Sequence, residues 1–145
     1  MPAINWKMAI IGAIVFTIAA QVVHIVGAMA EMSYYTDPAN FALWSPLMMP
    51  AAGPPGAEFY AASIIASFII GLVFAAAYGL LKASIPGKAS KKGMNFALLL
   101  FMLATVPGAL SMGLVFAVPV GLIVAWAIED LVIYLISCAV FAKTM

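Results

Sequence analysis

The sequence predicts an all-helical membrane protein with four transmembrane helices, and three observations carry that reading. Of its 145 residues 67% are hydrophobic and 8% charged, with a mean hydropathy of +1.19; a soluble domain is about half apolar and about a quarter charged. The apolar residues gather into four stretches, each close to the roughly 20 residues that cross a bilayer core about 30 Å thick. All six cations are lysines, and they fall only at Lys7, between the second and third stretches (Lys82, Lys88, Lys91, Lys92) and at Lys143.

The first stretch runs from about Met8 to Ala30. Lys7 and the Ala28-Met29-Ala30 triplet imitate a cleavable signal peptide, but an apolar run of about 23 residues exceeds the usual 7 to 15 of such a segment, so it reads as a retained helix. The second stretch spans Glu58 to Lys82, the third Met94 to Met112 and the fourth Val120 to Ala142. The last two must be separate helices, because Met94 to Ala142 as one helix would measure roughly 73 Å at about 1.5 Å per residue. Pro107 and Pro119 supply a kink and a break, each lacking the N–H of a regular helix. The chain is then one membrane domain with an outer loop at 31–57 and an inner loop at 83–93. In a four-span arrangement the lysines share one side, which the positive-inside rule makes cytoplasmic, so both termini face the cytoplasm. The expected location is the cytoplasmic (inner) membrane of a prokaryote.

The outer segment, EMSYYTDPANFALWSPLMMPAAGPPG, is too apolar for a solvated linker, and loops this long are commonly functional or disordered. Tyr34, Tyr35, Phe41 and Trp44 suit the headgroup layer. Asp37 stands at an N-cap position with Pro38 after it, which predicts a short interfacial helix over Pro38 to Leu47. Pro46, Pro50, Pro54 and Pro55 with Gly53 and Gly56 impose extended or turn structure before the second span. The segment reads as an anchoring lid, with a gate for substrate or partner as the alternative.

Helices in lipid associate through small residues that let backbones approach. The second span carries Ser63, Ser67, Gly71, Ala75 and Gly79 at four-residue spacing, a helix-packing face within or between protomers. Ionisable groups inside a membrane are costly and mark either function or a buried pairing. On the first span Thr17, Gln21, His24, Ala28 and Glu31 share one face. On the fourth, Glu129 and Asp130 are adjacent, with Trp126, Tyr134 and Ser137 on the Asp130 side. His24 and the acidic pair fall within about a turn of the same depth. Neighbouring residues project about 100° apart on a helix, and two adjacent carboxylates resist double ionisation.

Three readings of this cluster stand together. One is structural: His24, Gln21 and Asp130 hydrogen-bonded to specify helix pairing. The second is a proton- or cation-binding site of His24, Glu129 and Asp130 backed by Gln21 and Tyr134, since imidazole beside desolvated carboxylates suits proton relay. The third is a metal site, either His24 with the two acids for a divalent ion or the thioethers of Met29, Met32, Met48 and Met49 for Cu(I); clustered methionines are more commonly packing.

Other chemistry lacks a motif. The near-zero net charge of +1 offers no field for nucleic acid, and the single cysteine, Cys138, excludes an internal disulfide. There is no H-E-x-x-H, G-x-S-x-G, C-x-x-C or glycine-rich nucleotide loop, no flavin motif, and a lone histidine cannot ligate haem from both sides. Arginine is absent, unlike the four-helix glutathione-using membrane enzymes and the small fluoride channels; the small multidrug exporters place their key glutamate in the first span, not the last. The runs YYTDPANFALWSPLMMP and GLIVAWAIEDLVIYLISCAVFAK resemble small four-helix bacterial membrane proteins of no assigned activity that carry a W-S-P-L-like segment after helix one. That resemblance implies the fold and a prokaryotic origin, and names no catalytic residue. The functional expectation is an oligomeric transporter or channel-like protein, with bound lipid and the bilayer as its surroundings. The alternative is an accessory or assembly subunit of a larger membrane complex, and an enzyme is the least supported class.

Overall fold

A computed structural model of the chain describes residues 4–49 and 53–145, so Pro50 of the proline cluster lies outside the described residues. The elements are α1 (Trp6–Ala30), α2 (Met32–Thr36), a 3-10 turn (Pro38–Leu43), α3 (Ala57–Leu81), α4 (Ala89–Leu100), a π turn (Phe101–Thr105), α5 (Val106–Val115) and α6 (Val120–Thr144). No strand occurs among the described residues. Four helical stretches are long and apolar enough to cross a bilayer: α1, α3, the continuous run Ala89–Val115 and α6. Isoleucine, leucine and valine side chains cover the outside of all four, the inverse of a soluble protein and the arrangement of a multi-pass membrane protein.

The third span starts earlier and ends later than the residue pattern suggests, so the inner loop is shorter than 83–93 and Lys91 and Lys92 lie on helix α4. The reason is local capping. Lys92 donates from Nζ to the carbonyl of Lys82 at 2.7 Å, Asn95 donates to the carbonyl of Pro86 at 3.0 Å, and Gly87 takes a positive φ of 106° that closes the turn. Charged residues therefore form the first turns of a helix whose later turns are apolar. Within this span the Val106 amide reaches back to the Phe101 carbonyl, a π turn immediately before Pro107, which has no N–H to give.

Helix α1 packs antiparallel to both α3 and α6, and α6 packs antiparallel to α4, while α3 and α6 touch little. The row on α3 provides the closest approach. A Cβ on Gly71 would lie 2.8 Å from the Phe16 Cβ and 3.0 Å from the Ala13 Cα, so only glycine allows this separation. Gly79, in the same row, has nothing within 4 Å of such an atom. Gly93 brings α4 against the Cys138 carbonyl in the same way, at 2.6 Å. The core between the helices is aromatic: Phe16, Phe74 and Tyr134 meet at the centre, and Tyr78 contacts Phe96 and Phe141 towards one end. The helix ends bearing Lys7, Lys82, Lys88, Lys91, Lys92 and Lys143 lie at this closed end, where Lys82 also binds the carbonyl of Met145.

Candidate functional site

All five acids occupy the half of the molecule opposite the lysines, and two elements converge there on Glu129. Helix α6 carries Glu129 towards α1, where His24 Nδ1 lies 2.7 Å from Glu129 Oε2. The imidazole is 48% exposed and the carboxylate side chain 10%, so the pair joins an open group to a buried one. The carboxylate fits because residue 27, one turn beyond His24, is glycine: a Cβ there would overlap the Glu129 carboxylate. Glu129 Oε1 sits in this slot, buried and without a hydrogen-bond partner among the described residues.

A third ionisable group approaches from the end of α1. Glu31, buried, faces Glu129, and both its burial and the Glu129 charge raise its pKa above the ordinary 4.5. A protonated Glu31 is the nearest source of a donor for the second carboxyl. From Glu31 the polar chain continues outward: the Tyr35 hydroxyl is 3.4 Å from Glu31 Oε2, and Trp126 Nε1 donates to Tyr35 at 3.1 Å. Burial pushes the Tyr35 phenol up to about 12, so it stays a neutral donor. Trp44 covers this corner, its ring tilted at 36° to Tyr35 with centroids 5.0 Å apart and edge-on to Trp126 at 6.4 Å.

The adjacent carboxylate goes elsewhere. Asp130 accepts from the Thr105 hydroxyl at 2.8 Å, and the Tyr134 hydroxyl lies 3.1 Å from the same Thr105 oxygen. These line a separate cavity of about 200 Å³ between α6 and the kinked third span. The π turn presents Thr105 inward. Gln21 is also apart from the pair, donating to Ser63 at 3.0 Å and Ser67 at 3.3 Å across the α1–α3 contact. Of the five residues the sequence groups as one cluster, the structure thus joins His24 with Glu129, places Asp130 with Tyr134, and gives Gln21 to α3. The expected divalent-ion set of His24, Glu129 and Asp130 is not assembled, since Asp130 turns to Thr105; no group of three or more His, Cys, Asp or Glu side chains is arranged for a metal among the described residues.

His24 and Glu129 open onto the larger cavity, about 840 Å³, bounded by α1, the start of α3, α6 and the outer segment. Met29, Met32, Met48 and Met49 all line it, which brings the thioether candidates and His24 to one wall system. In the outer segment Asp37 caps the turn as expected, accepting from Ala39 N at 2.9 Å. That turn is a 3-10 helix ending at Leu43, shorter than Pro38 to Leu47, because the Trp44 backbone is already extended and leads into Ser45-Pro46. The Tyr34 hydroxyl meets Gly121 at the start of α6, so the segment is fastened to the helix that carries Glu129.

No family model, curated protein or solved structure matches the chain. Sequence reasoning missed three contributors. Glu31 was on the polar face of α1 but a turn beyond the expected depth; Thr105 was one hydroxyl in an apolar span; Gly27 gave no signal, since its role depends on what α6 places opposite it.

Proposed function

We propose that this is a small oligomeric transporter or channel-like protein that handles a proton or monovalent cation at His24, Glu129 and Glu31. The observation that carries the reading is the 2.7 Å imidazole–carboxylate contact on the wall of the large cavity, with Glu129 buried and His24 open. Burying a carboxylate in a membrane protein is costly, and such groups mark function by default. Glu129 Oε1 has no hydrogen-bond donor among the described residues, and Glu31 brings a second carboxyl against Glu129. Imidazole beside desolvated carboxyls is the arrangement that suits a proton relay. The segregation of all lysines to the other end supports a cytoplasmic location for both termini in a prokaryotic inner membrane.

Asp130, Thr105 and Tyr134 act in this reading as the anchor that holds the kinked third span on α6. In the accessory-subunit alternative the partner surface would be the aromatic outer segment, because the small-residue face from Ser63 to Ala75 packs on α1. The test is proton and alkali-cation flux in reconstituted vesicles: Glu129→Gln abolishes the flux, and Asp130→Asn retains it if folded. Flux unchanged by Glu129→Gln refutes the proposal.

A further inference from the structure

The large cavity is far bigger than a proton or an alkali ion needs. We propose that it binds an amphiphilic organic cation, an amine or quaternary ammonium on an apolar or aromatic body, with the cationic end at the Glu129 carboxylate. This assignment names a substrate class for the site proposed above and rests on that reading.

Five observations converge on it. The volume, about 840 Å³, lies in the range of sites that enclose whole organic molecules, roughly 300 to 1,000 Å³. Its wall is mainly apolar, with methionines (Met29, Met32, Met48) whose unbranched thioethers adapt to varied shapes, and Phe59 and Tyr60. Among the side chains on this wall Glu129 is the single carboxylate, next to His24, as in sites that orient a ligand by one charged group. The sign of the charge is set by the rest of the chain: Glu31, Asp37, Glu58 and Glu129 lie in this half, and no lysine lines the cavity. An anion would find no fixed cation there. The fifth observation is the Glu129 carboxylate itself, on the cavity wall and already largely desolvated, with 10% of its side chain exposed; Trp126 and Tyr35 line the same cavity and offer aromatic rings for cation–π contact.

Charge balance follows from the carboxyl pair. When the Glu31–Glu129 pair holds one proton, entry of a unit positive charge at the Glu129 carboxylate with release of that proton leaves the net charge of the site unchanged. The cation takes the place the proton held, and the proton leaves to water.

The test uses two probes of matched body and opposite charge, naphthylmethyl-trimethylammonium and naphthylmethanesulfonate, in equilibrium dialysis against the full chain. Maltoside micelles free of phospholipid are used, so that the ammonium comes from the probe alone. The ammonium binds, releases protons into a weakly buffered medium, and loses about tenfold or more in affinity in Glu129→Gln; the sulfonate does not bind. Ala28→Trp, which fills the cavity beside His24 without altering a charge, also abolishes ammonium binding and serves if the Gln variant does not fold. Equal binding of both probes, or ammonium binding that survives both substitutions, overturns the assignment. If Glu129-dependent flux persists alongside such a result, only the organic-cation assignment fails. If flux is independent of Glu129, the underlying reading fails with it.

Discussion

Replacing Gly27 with alanine tests the central geometry directly. A methyl group at this position overlaps the Glu129 carboxylate, so the carboxylate must leave its slot and the 2.7 Å contact with His24 is lost. A hydrogen bond involving a charged group contributes about 1.5–3 kcal/mol, whereas alanine in place of glycine inside a helix gains about 1 kcal/mol. Gly27→Ala should therefore destabilise the protein by about 0.5–2 kcal/mol. In a Glu129→Ala background the obstacle is gone, and the same change should stabilise by about 1 kcal/mol. The reversal of sign is the signature: the double-mutant coupling energy is about 1.5–3 kcal/mol. Unfolding by dodecyl sulfate titration from mixed bicelles, followed by tryptophan fluorescence, measures all four corners of the cycle. If Gly27→Ala has the same effect with and without Glu129, the two residues are not in contact and the site as described does not exist.

Other consequences are equally open to measurement. Gly71→Leu should destabilise by about 1–3 kcal/mol or more through collision with Ala13 and Phe16, whereas Gly79→Ala in the same row should stabilise by about 1 kcal/mol; equal effects of the two in thermal melts would contradict the α1–α3 contact. Thr105→Val strips Asp130 of its donor and should cost about 1–3 kcal/mol, with Thr105→Ser restoring most of it in the same unfolding assay. Because the folded-state pKa of Glu31 is raised by burial and by Glu129, the folded chain holds this proton more tightly than the unfolded chain, and stability falls as pH rises from about 4.5. Glu31 faces Glu129 on α6 and Tyr35 on α2, and Glu31→Gln should flatten this decline and raise stability at neutral pH; a stability profile identical to that of the parent chain between pH 4 and 8 would contradict the pairing.

The four spans were legible because each is a run of apolar residues of bilayer length, and that property belongs to the segment alone. The lysine pattern and the Asp37 cap were legible for the same reason. The split of Glu129 from Asp130 was implicit in the 100° step of a helix, but which of them meets His24 was not, since that depends on the rotation of α6 against α1. The earlier start of the third span was hidden because Lys91 and Lys92 look like loop until the Lys82 carbonyl lies within reach.

By itself, the sequence determined the number of spanning helices, the ends at which charge of each sign gathers, and which side chains were available for chemistry, because hydropathy, charge and helical period are properties of local order. The tertiary structure decided the site. Gly27 matters only because Glu129 comes opposite it, Glu31 joins only because the end of α1 turns over α6, and the cavity exists only because the outer segment spans the gap between α1, α3 and α6. Each is a contact between residues distant in sequence, and no local pattern encodes the helix rotation that creates it.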